Sequence, residues 1–299
     1  MKIGCVFPHS EIGDDMSMIR DFFQTAEGLG YDHVLCIDHV LCNRDAKGAP
    51  WAHYYTVDRS FHEPLTLFAY ASGFTSRIGF ATAVLVLPQR QAPLVAKQAA
   101  EVDQLSGGRL RLGCGIGWSP EEYQGLGMHY KTRARRFEEQ IEVMRRLWTE
   151  EAITFKGDFH DIEDMGINPK PVQKPIPIFI GAFEENAVRR AVRLGDGYSM
   201  NPRSEPNDET RRLLERISQW QGEFGRDPET FGMNATLHHW NRGEAAWEAD
   251  MKGWQELGVS HVSFRTIDSE LPSPKAHLQE LERFAKLVGM KAETNVAAE

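Results

Sequence analysis

The stretch RLRLGCGIGWSPEEY, residues 109–123, has the pattern of a buried strand that runs into a glycine turn and then into a helix. Leu110 and Leu112 alternate with charged neighbours, as expected of a half-buried strand over 109–112. Ser119 suits the helix N-cap and Pro120 the first turn, and the glutamates that follow suit the positive end of the helix dipole. A strand followed by a helix is the repeating unit of parallel α/β folds.

Between the strand and the helix, glycine occupies every second position, at 113, 115 and 117. Glycine tolerates positive φ and allows another group to approach the backbone closely. A glycine turn that opens a helix offers N–H groups to an anion, most often a phosphate. The alternative is a tight turn with no ligand, because glycines alone are a weak signal.

The composition is that of a globular protein with an ordinary charged fraction. The chain has 299 residues, of which 41% are hydrophobic and 26% charged, and its formal net charge is −9. This charge argues against nucleic acid or anionic membranes as partners. We find no apolar run near the ~20 residues of a membrane helix, no signal-peptide pattern and no paired cysteine motif. We therefore expect a cytoplasmic protein.

Predicted strands and helices alternate along the whole chain. The strands are predicted at 2–7, 33–37, 77–87, 109–112, 178–180, 197–200, 231–238 and 261–264. Each is followed by a segment with helical periodicity, such as 14–29 after the first strand and 133–148 after the fourth. Eight such units predict an α/β fold, the (β/α)8 TIM barrel. The alternative is a doubly wound open sheet, which places its glycine fingerprint after the first strand, where this chain has Phe7-Pro8-His9.

Two insertions interrupt the barrel pattern. Residues 41–60, after the second strand, are polar and aromatic and too long for an ordinary connection, so we predict a lid or substrate loop. Residues 154–162, between the fourth and fifth strands, read TFKGDFHDI and predict a small hairpin that turns at Gly157-Asp158. We predict a single domain over 1–290 and a disordered tail over 291–299.

The catalytic residues of a barrel stand at the carboxyl ends of its strands. His39, at the end of the second strand, is the best acid–base candidate, because histidine titrates near neutral pH and Asp38 places a negative charge beside it. The alternative is a helix cap at Asp38 with a bystander histidine. His238 and His239 suggest a metal site, but neighbours on a strand point to opposite faces, and the chain has no HxH or HExxH pattern. We predict no metal.

A second glycine turn, Gly181-Ala182-Phe183, follows the fifth strand. In a barrel it would neighbour the turn at 115–117, and both could direct N–H groups at one phosphate. That arrangement suggests a cofactor with a phosphate tail and a flat head. Trp118 is a candidate wall for such a ring, with a core position as the alternative. The arginines within 133–136 are either a phosphate contact or a solvated surface.

Segments over nearly the whole chain resemble the bacterial luciferase-like monooxygenases, and within them the branch that depends on coenzyme F420, a deazaflavin. The similar segments are 28–40, which reads GLGYDHVLCIDHV, and 63–93, 96–118, 133–148, 169–182 and 258–266. The resemblance implies a barrel that binds F420 or FMN in its mouth, with Asp38 and His39 near the reactive ring. It also implies a non-proline cis peptide at Ala83–Val84 behind the ring, and phosphate loops at Gly115-Ile116-Gly117 and Gly181-Ala182-Phe183.

Two departures from the pattern of this family matter. Many members have Gly-Gly where this chain has Gly181-Ala182. The F420-dependent sugar-phosphate dehydrogenases carry a catalytic glutamate where Trp118 stands, which puts sugar-phosphate oxidation in doubt.

The resemblance leads us to expect F420 as the cofactor, with FMN as the alternative. We expect it to contact Ala83 and Val84, the two glycine loops, Trp118 and Arg136. His39, with Asp38 beside it, would exchange a proton as hydride moves to or from a small organic substrate under the 41–60 loop. The alternatives are a flavin-binding barrel without catalysis and a metal-dependent barrel hydrolase. By analogy with barrel relatives we expect a homodimer, with neither nucleic acid nor membrane as a partner.

Overall fold

The strands of the fold follow the predicted order along the chain. The computed structural model describes residues 1–45 and 52–291. The strands in these ranges are β1 (Lys2–Val6), β2 (His33–Cys36), β3 (Gly79–Thr82), β4 (Leu85–Val86), β5 (Leu110–Gly115), β6 (Ile153–Lys156), β7 (Asp161–Met165), β8 (Ile178–Gly181), β9 (Gly197–Ser199), β10 (Gly232–His238) and β11 (His261–Arg265).

Parallel pairing closes the main sheet into a ring. From β3 the sheet runs through β2, β1, β11, β10, β9 and β8 to β5, and β5 then pairs with β3 at Phe80↔Leu110. The short β4 continues β3 and pairs with β5 at Leu85↔Cys114, so the two segments share one position and the barrel has eight. The predicted (β/α)8 barrel is confirmed, and the doubly wound open sheet is excluded because that sheet would not close.

Helices follow the barrel strands on the outside. Those in the described residues are α1 (His9–Ile12), α2 (Met16–Gly28), α3 (Pro64–Ser72), α4 (Ala92–Ser106), α5 (Pro120–Gly125), α6 (Arg133–Thr149), α7 (Glu185–Leu194), α8 (Asp208–Glu223), α9 (Glu244–Glu256) and α10 (Pro274–Leu287). Across 1–45 and 52–291, no helix has the length and apolar character needed to cross a membrane. The helix predicted over 14–29 begins two residues later, as α2 at Met16, because Asp15 accepts the N–H groups of Ser17 and Met18 as an N-cap.

The hydrophobic core fills the space between the barrel and the helices. Trp148 of α6 is fully buried, and its indole nitrogen donates to the carbonyl of Ala96 in α4 at 2.9 Å. Phe264 of β11 stacks on Phe284 of α10 with ring centroids 4.1 Å apart. Burial of such side chains stabilises the fold by about 1.5–3 kcal/mol each. The apolar stripe read from the sequence of α6 is therefore the face that fixes this helix to its neighbour.

The predicted hairpin insertion is present between β5 and β8. β6 and β7 pair antiparallel, and the turn between them closes where the N–H of Gly157 donates to the carbonyl of His160 at 2.8 Å. Glu139 of α6 accepts the N–H groups of Asp158 and Phe159, both at 2.9 Å. One carboxylate thus ties the hairpin turn to the helix that precedes it.

The third barrel strand is interrupted where a continuous strand over 77–87 was predicted. It stops at Thr82, passes through a cis peptide at Ala83–Val84, and resumes as β4 before a short 3-10 turn. The cis peptide implied by the family resemblance is therefore found. Val84 lies half-buried at the mouth of the barrel, at the bulge between the two strand segments.

The glycines of the opening stretch allow the fourth barrel strand to lie close to this bulge. A Cβ on Gly113 would lie 1.8 Å from the carbonyl oxygen of Thr82, and one on Gly115 would lie 2.5 Å from Val84. A Cβ on Gly117, whose φ is +63°, would lie 2.5 Å from Val86. The prediction that the strand ends at Leu112 is wrong, because these contacts keep β5 extended to Gly115.

The described part of the predicted lid loop returns to the barrel mouth. Residues 52–54 form a 3-10 turn, and Tyr55 packs against His39 with ring centroids 4.2 Å apart. Residues 46–51 of this predicted lid, and 292–299 of the predicted tail, lie outside the described residues.

Candidate functional site

A histidine–carboxylate pair stands at the mouth of the barrel. His39, just after β2, places its Nδ1 atom 3.3 Å from Oε2 of Glu122 in α5. The same carboxylate accepts the N–H groups of Val40 at 2.8 Å and Leu41 at 3.2 Å, and the side-chain amide of Gln89 at 3.0 Å. Glu122 thereby fixes both the His39 ring and the backbone that follows it, and Nε2 is the ring nitrogen outside this contact.

The charge state of Glu122 follows from these contacts. Burial raises the pKa of its carboxyl, but the hydrogen bond and electrostatic interaction with His39, and the bonds from Gln89 and Val40, lower the pKa below the ordinary value. The group is therefore a buried carboxylate at neutral pH.

Sequence reasoning missed Glu122, which it treated only as an acid at the start of a helix. The Ser119-x-x-Glu122 spacing is the signal of a capping box, and Ser119 does accept the N–H of Glu122 at 3.2 Å. The glutamate side chain, however, turns towards the loop after β2 and bonds there. The sequence shows only the helix-start spacing, and the burial of this glutamate, which is 4% exposed, becomes visible in the structure.

Asp38 lies beside His39 in the chain but faces a different group of residues. Its Oδ2 accepts the N–H of Val86 at 2.9 Å, and its Oδ1 contacts Arg90 at 2.7 Å. Burial raises the pKa of Asp38, while the charge of Arg90 and the Val86 hydrogen bond oppose that rise. No helix starts at Asp38 within the described chain, so the alternative interpretation as a helix cap is wrong. The contacts make Asp38 an anchor for the strand after the bulge.

Aromatic rings surround His39. The ring of Trp118 lies 6.0 Å and that of Phe61 5.7 Å from the histidine, and Tyr55 lies 5.8 Å from Trp118. Trp118 is half-buried at the mouth, so the alternative of a core position does not hold. Tyr55 comes from the predicted lid loop and Phe61 directly follows it, so this segment contributes to the wall around the candidate acid–base residue.

The two glycine turns meet at the bulge that contains Ala83 and Val84. β5 pairs with β8 at Cys114↔Ile180, which makes Gly115 and Gly181 neighbours, as the sequence predicted. Val84 packs between them, since a Cβ on Gly181 would lie 2.8 Å from its side chain. The glycines thus make room for the bulge, a role that the sequence did not predict.

Basic side chains lie near the turn at Gly117. Tyr123 packs beneath this turn and donates to the carbonyl of Ile116 at 2.7 Å. The guanidinium of Arg133 lies 3.7 Å from the centre of the Tyr130 ring, which packs edge-on against Tyr123 at 5.4 Å. Burial raises the pKa of Tyr123, whereas the charges of Arg133 and Arg136 lower it. The Nε atoms of the two arginines are buried and have no hydrogen-bond partner in the described residues. This donor set fits a phosphate group.

Ala182 and Phe183, which end the second glycine turn, contact other parts of the molecule. Ala182 is buried, and its carbonyl accepts the hydroxyl of Tyr198 at 2.9 Å. Phe183 is 57% exposed and lies at the lip of a separate cleft between α7 and α8, which Arg212 and Arg216 also line. Of the predicted loop, Gly181 is the residue that the structure brings to the bulge.

His238, the last residue of β10, and His239, which follows it, point in different directions, as predicted for neighbours along a strand. Nε2 of His238 bonds to the carbonyl of Pro202 at 2.6 Å, whereas Nε2 of His239 lies 3.1 Å from Glu280 of α10. The two rings do not converge on one point.

Comparison with known proteins finds a matching family model and relatives by sequence. The family model described as luciferase-like monooxygenase matches residues 1–294. An uncharacterised protein of Mycobacterium tuberculosis is 33% identical over 228 residues, 74% of this chain and 77% of that protein. The F420-dependent glucose-6-phosphate dehydrogenase of Segniliparus rotundus is 32% identical over 213 residues, 69% of this chain and 59% of that enzyme.

Solved structures share the fold at low sequence identity. An F420-dependent secondary alcohol dehydrogenase in complex with an F420–acetone adduct has a TM-score of 0.76, with 16% identity over 96% of this chain and 98% of its own. A riboflavin lyase with modified FMN and riboflavin has a TM-score of 0.78, with 12% identity over 99% and 94%. The match of the family model over nearly the whole chain shows that this protein belongs to the luciferase-like monooxygenase family, as an oxidoreductase.

Proposed function

We propose that the chain transfers hydride between reduced coenzyme F420, or FMN as the alternative, and a small organic substrate. The observation that carries this proposal is the His39–Glu122 pair, which lies within an aromatic mouth beside the Ala83–Val84 bulge. A carboxylate bonded to one ring nitrogen orients an imidazole and stabilises its protonated form. His39 would therefore exchange the proton that accompanies the hydride.

When bound, the coenzyme supplies or accepts the hydride, and the protein positions it and excludes water. In this proposal Val84 supports one face of the planar ring, because its side chain is fixed between Gly115 and Gly181. Trp118 walls the ring at its edge. Since Glu122 occupies Nδ1 of His39, the proton passes at Nε2.

The phosphate of the coenzyme would lie at the turn of residues 115–117. The nearby Nε groups of Arg133 and Arg136 support this position, because buried guanidinium donors without a partner are stabilised by an anion. F420 ranks before FMN because relatives at 32% and 35% identity are named F420-dependent dehydrogenases.

Titration of the purified chain with F420 and with FMN, followed by ring fluorescence, tests the proposal. We expect saturable binding of F420. Tight binding of FMN with none of F420 would reverse the order of cofactors, and binding of neither would contradict the proposal.

The role of His39 is tested by His39→Ala, with the exposed His129→Ala as the matched control. We expect coenzyme affinity to survive in both variants, and turnover to fall about 100-fold in His39→Ala alone, the usual size of an acid–base contribution. If both quantities were unchanged in His39→Ala, the role assigned to His39 would be wrong.

A further inference from the structure

The side-chain amide of Gln89 contacts the carboxylate that faces His39. Its NH2 group donates to Oε2 of Glu122 at 3.0 Å, and the same oxygen lies 3.3 Å from Nδ1 of His39. The other oxygen, Oε1, accepts the backbone N–H groups of Val40 and Leu41. A carboxylate offers about four acceptor positions, so these groups together occupy both oxygens. Gln89 is 5% exposed, and little water competes for this bond.

The ionised carboxylate determines how its side-chain partners are oriented. Although burial raises the pKa of Glu122, its hydrogen bonds and its interaction with His39 bring the pKa below the ordinary value. A carboxylate only accepts hydrogen bonds, so Gln89 must turn its NH2 group, and His39 an Nδ1–H group, towards it. Because Gln89 holds Oε2 without help from the histidine, the ring of His39 meets an acceptor whose position is already fixed.

The backbone that carries Gln89 is fixed on two sides. Gln89 ends a 3-10 turn that directly follows β4. The amide of Gln140, in α6, donates to the carbonyls of Leu87 at 3.2 Å and Arg90 at 2.9 Å. Asp38, after β2, contacts the same Arg90 at 2.7 Å. Since β4 follows the bulge that supports the coenzyme in the proposed function, one short segment connects that support to the carboxylate beside His39.

The other ionisable groups around His39 have different contacts. Asp38 interacts electrostatically with His39, but its carboxylate is bonded within residues 86–90. The ring of Tyr55 lies 4.2 Å from that of His39. His9 also interacts with His39, and burial lowers the pKa of His9 to about 3, so it is neutral at neutral pH. Within the described residues, the carboxylate held by the Gln89 amide is therefore the anion at Nδ1 of the ring.

We infer that Gln89 is a positioning residue for the proton exchange. Its amide fixes Oε2 of Glu122, so that His39 keeps a proton on Nδ1 and leaves Nε2 for the substrate. Without this amide, His39 alone would hold Oε2, and the carboxylate and the imidazole could move together. The inference rests on the proposed function, which assigns the proton exchange to His39.

Gln89→Met tests the inference in coenzyme-free protein, because it keeps the length of the side chain and removes the donor. Long-range imidazole spectra of ¹⁵N-labelled protein distinguish protonated from unprotonated ring nitrogens, and alkaline pH keeps the imidazole neutral. We expect wild-type His39 to carry its proton on Nδ1, and the Nδ1 signal in Gln89→Met to shift towards that of mixed tautomers. A wild-type proton on Nε2, or the same signal in both proteins, overturns the inference.

Gln173→Met is the matched control. The amide of Gln173 also donates to a buried carboxylate, that of Asp103 at 2.7 Å, and to the carbonyl of Leu110 where β5 begins. This variant loses equivalent bonds away from the barrel mouth, so we expect the His39 signals to stay in place. An equal shift in the two variants would reflect general loosening of the barrel and would overturn the inference.

A double variant shows whether Gln89 acts through the carboxylate. In Glu122→Gln the charged acceptor is absent, so adding Gln89→Met should cause little further shift of the His39 signals. A further shift as large as that caused by Gln89→Met in the wild-type background would contradict the inference.

Glu122→Gln alone keeps the inference testable if Gln89→Met does not fold. We expect the side-chain N–H signals of Gln89 to move in Glu122→Gln and to stay in Glu121→Gln, which alters an exposed neighbour. Unchanged Gln89 signals in Glu122→Gln would show that the amide does not bond to the carboxylate. These spectra require neither coenzyme nor substrate, so their outcome is separate from that of the F420 titration.

Discussion

The Nδ1 atom of His39 lies 3.3 Å from Oε2 of Glu122, although the two residues belong to different strand–helix units of the barrel. Because Glu122 also accepts the N–H groups of Val40 and Leu41, one carboxylate holds both the ring and the loop that carries it. In the proposed function, the acid–base role of His39 therefore depends on a residue that follows the fourth barrel strand.

Replacing this carboxylate tests that dependence. Glu122→Gln keeps the size and one acceptor for the loop but removes the charge beside His39, so we expect turnover to fall about 100-fold. Coenzyme affinity should change little. Steady-state coenzyme oxidation is the measurement, and the exposed neighbour Glu121→Gln is the control. Wild-type turnover in Glu122→Gln would show that the carboxylate has no part in the reaction.

We expect Asp38 to stabilise the folded protein through its ion pair with Arg90. Asp38→Asn leaves Arg90 with one acidic partner, Glu63 at 3.2 Å, and breaks a buried pair, which costs about 3–5 kcal/mol. Urea unfolding measures this cost. Glu101→Gln breaks the exposed pair with Lys97 and should cost less than about 1 kcal/mol. A loss of turnover with unchanged stability would instead give Asp38 a part in catalysis, as the sequence suggested.

We expect the close packing of Val84 against Gly115 to stabilise the bulge at Ala83–Val84. Gly115→Ala would place its Cβ 2.5 Å from the Val84 side chain, so we expect a loss of stability of about 1–3 kcal/mol and weaker coenzyme binding. The double variant with Val84→Ala should recover part of the lost stability, because it removes the clashing atoms. Gly222→Ala, in α8 with open space around the new Cβ, serves as the control. Additive losses in the double variant would contradict this account.

Arg136 is expected to contribute to phosphate binding. Arg136→Gln removes a charge that acts on Tyr123, the residue beneath the 115–117 turn. We expect the coenzyme dissociation constant to rise about ten-fold, since a hydrogen bond to a charged group is worth about 1.5–3 kcal/mol. Arg135→Gln is the control, because Arg135 is largely exposed and pairs with Asp158 on the surface. Fluorescence titration at two salt concentrations measures both constants. Equal constants for the two variants would remove Arg136 from the site.

The pH dependence of stability follows from His9, whose pKa is about 3 in the folded chain against an ordinary value near 6.5. The unfolded chain therefore binds a proton that the folded chain does not, and stability falls as the pH drops from 6.5 towards 3. Between pH 7 and pH 5 this histidine should cost about 2 kcal/mol. Urea unfolding of the wild type and His9→Gln at both pH values measures it. The wild type should lose more stability than the variant, and parallel losses would contradict the prediction.

Much of the fold is readable from the chain because its causes are local. The alternation of strand and helix periodicity predicted the closed barrel, and the run at 154–162 predicted the hairpin. The position of His39 just after the second strand predicted that its side chain would lie at the barrel mouth. Each of these depends on side chains within a few residues of one another, whose spacing is visible in the sequence.

Other features depended on which strands became neighbours. The partner of His39 is Glu122, the partners of Asp38 are Arg90 and Val86, and the glycines of the opening stretch accommodate Val84. The Nδ1 atom of His9 accepts the backbone N–H of His62. These contacts join residues from separate strand–helix units, and only closure of the barrel brings them within hydrogen-bond or van der Waals distance. The sequence alone determined the barrel and the position of His39, and the tertiary structure decided which groups surround it, because no local spacing encodes contacts between distant segments.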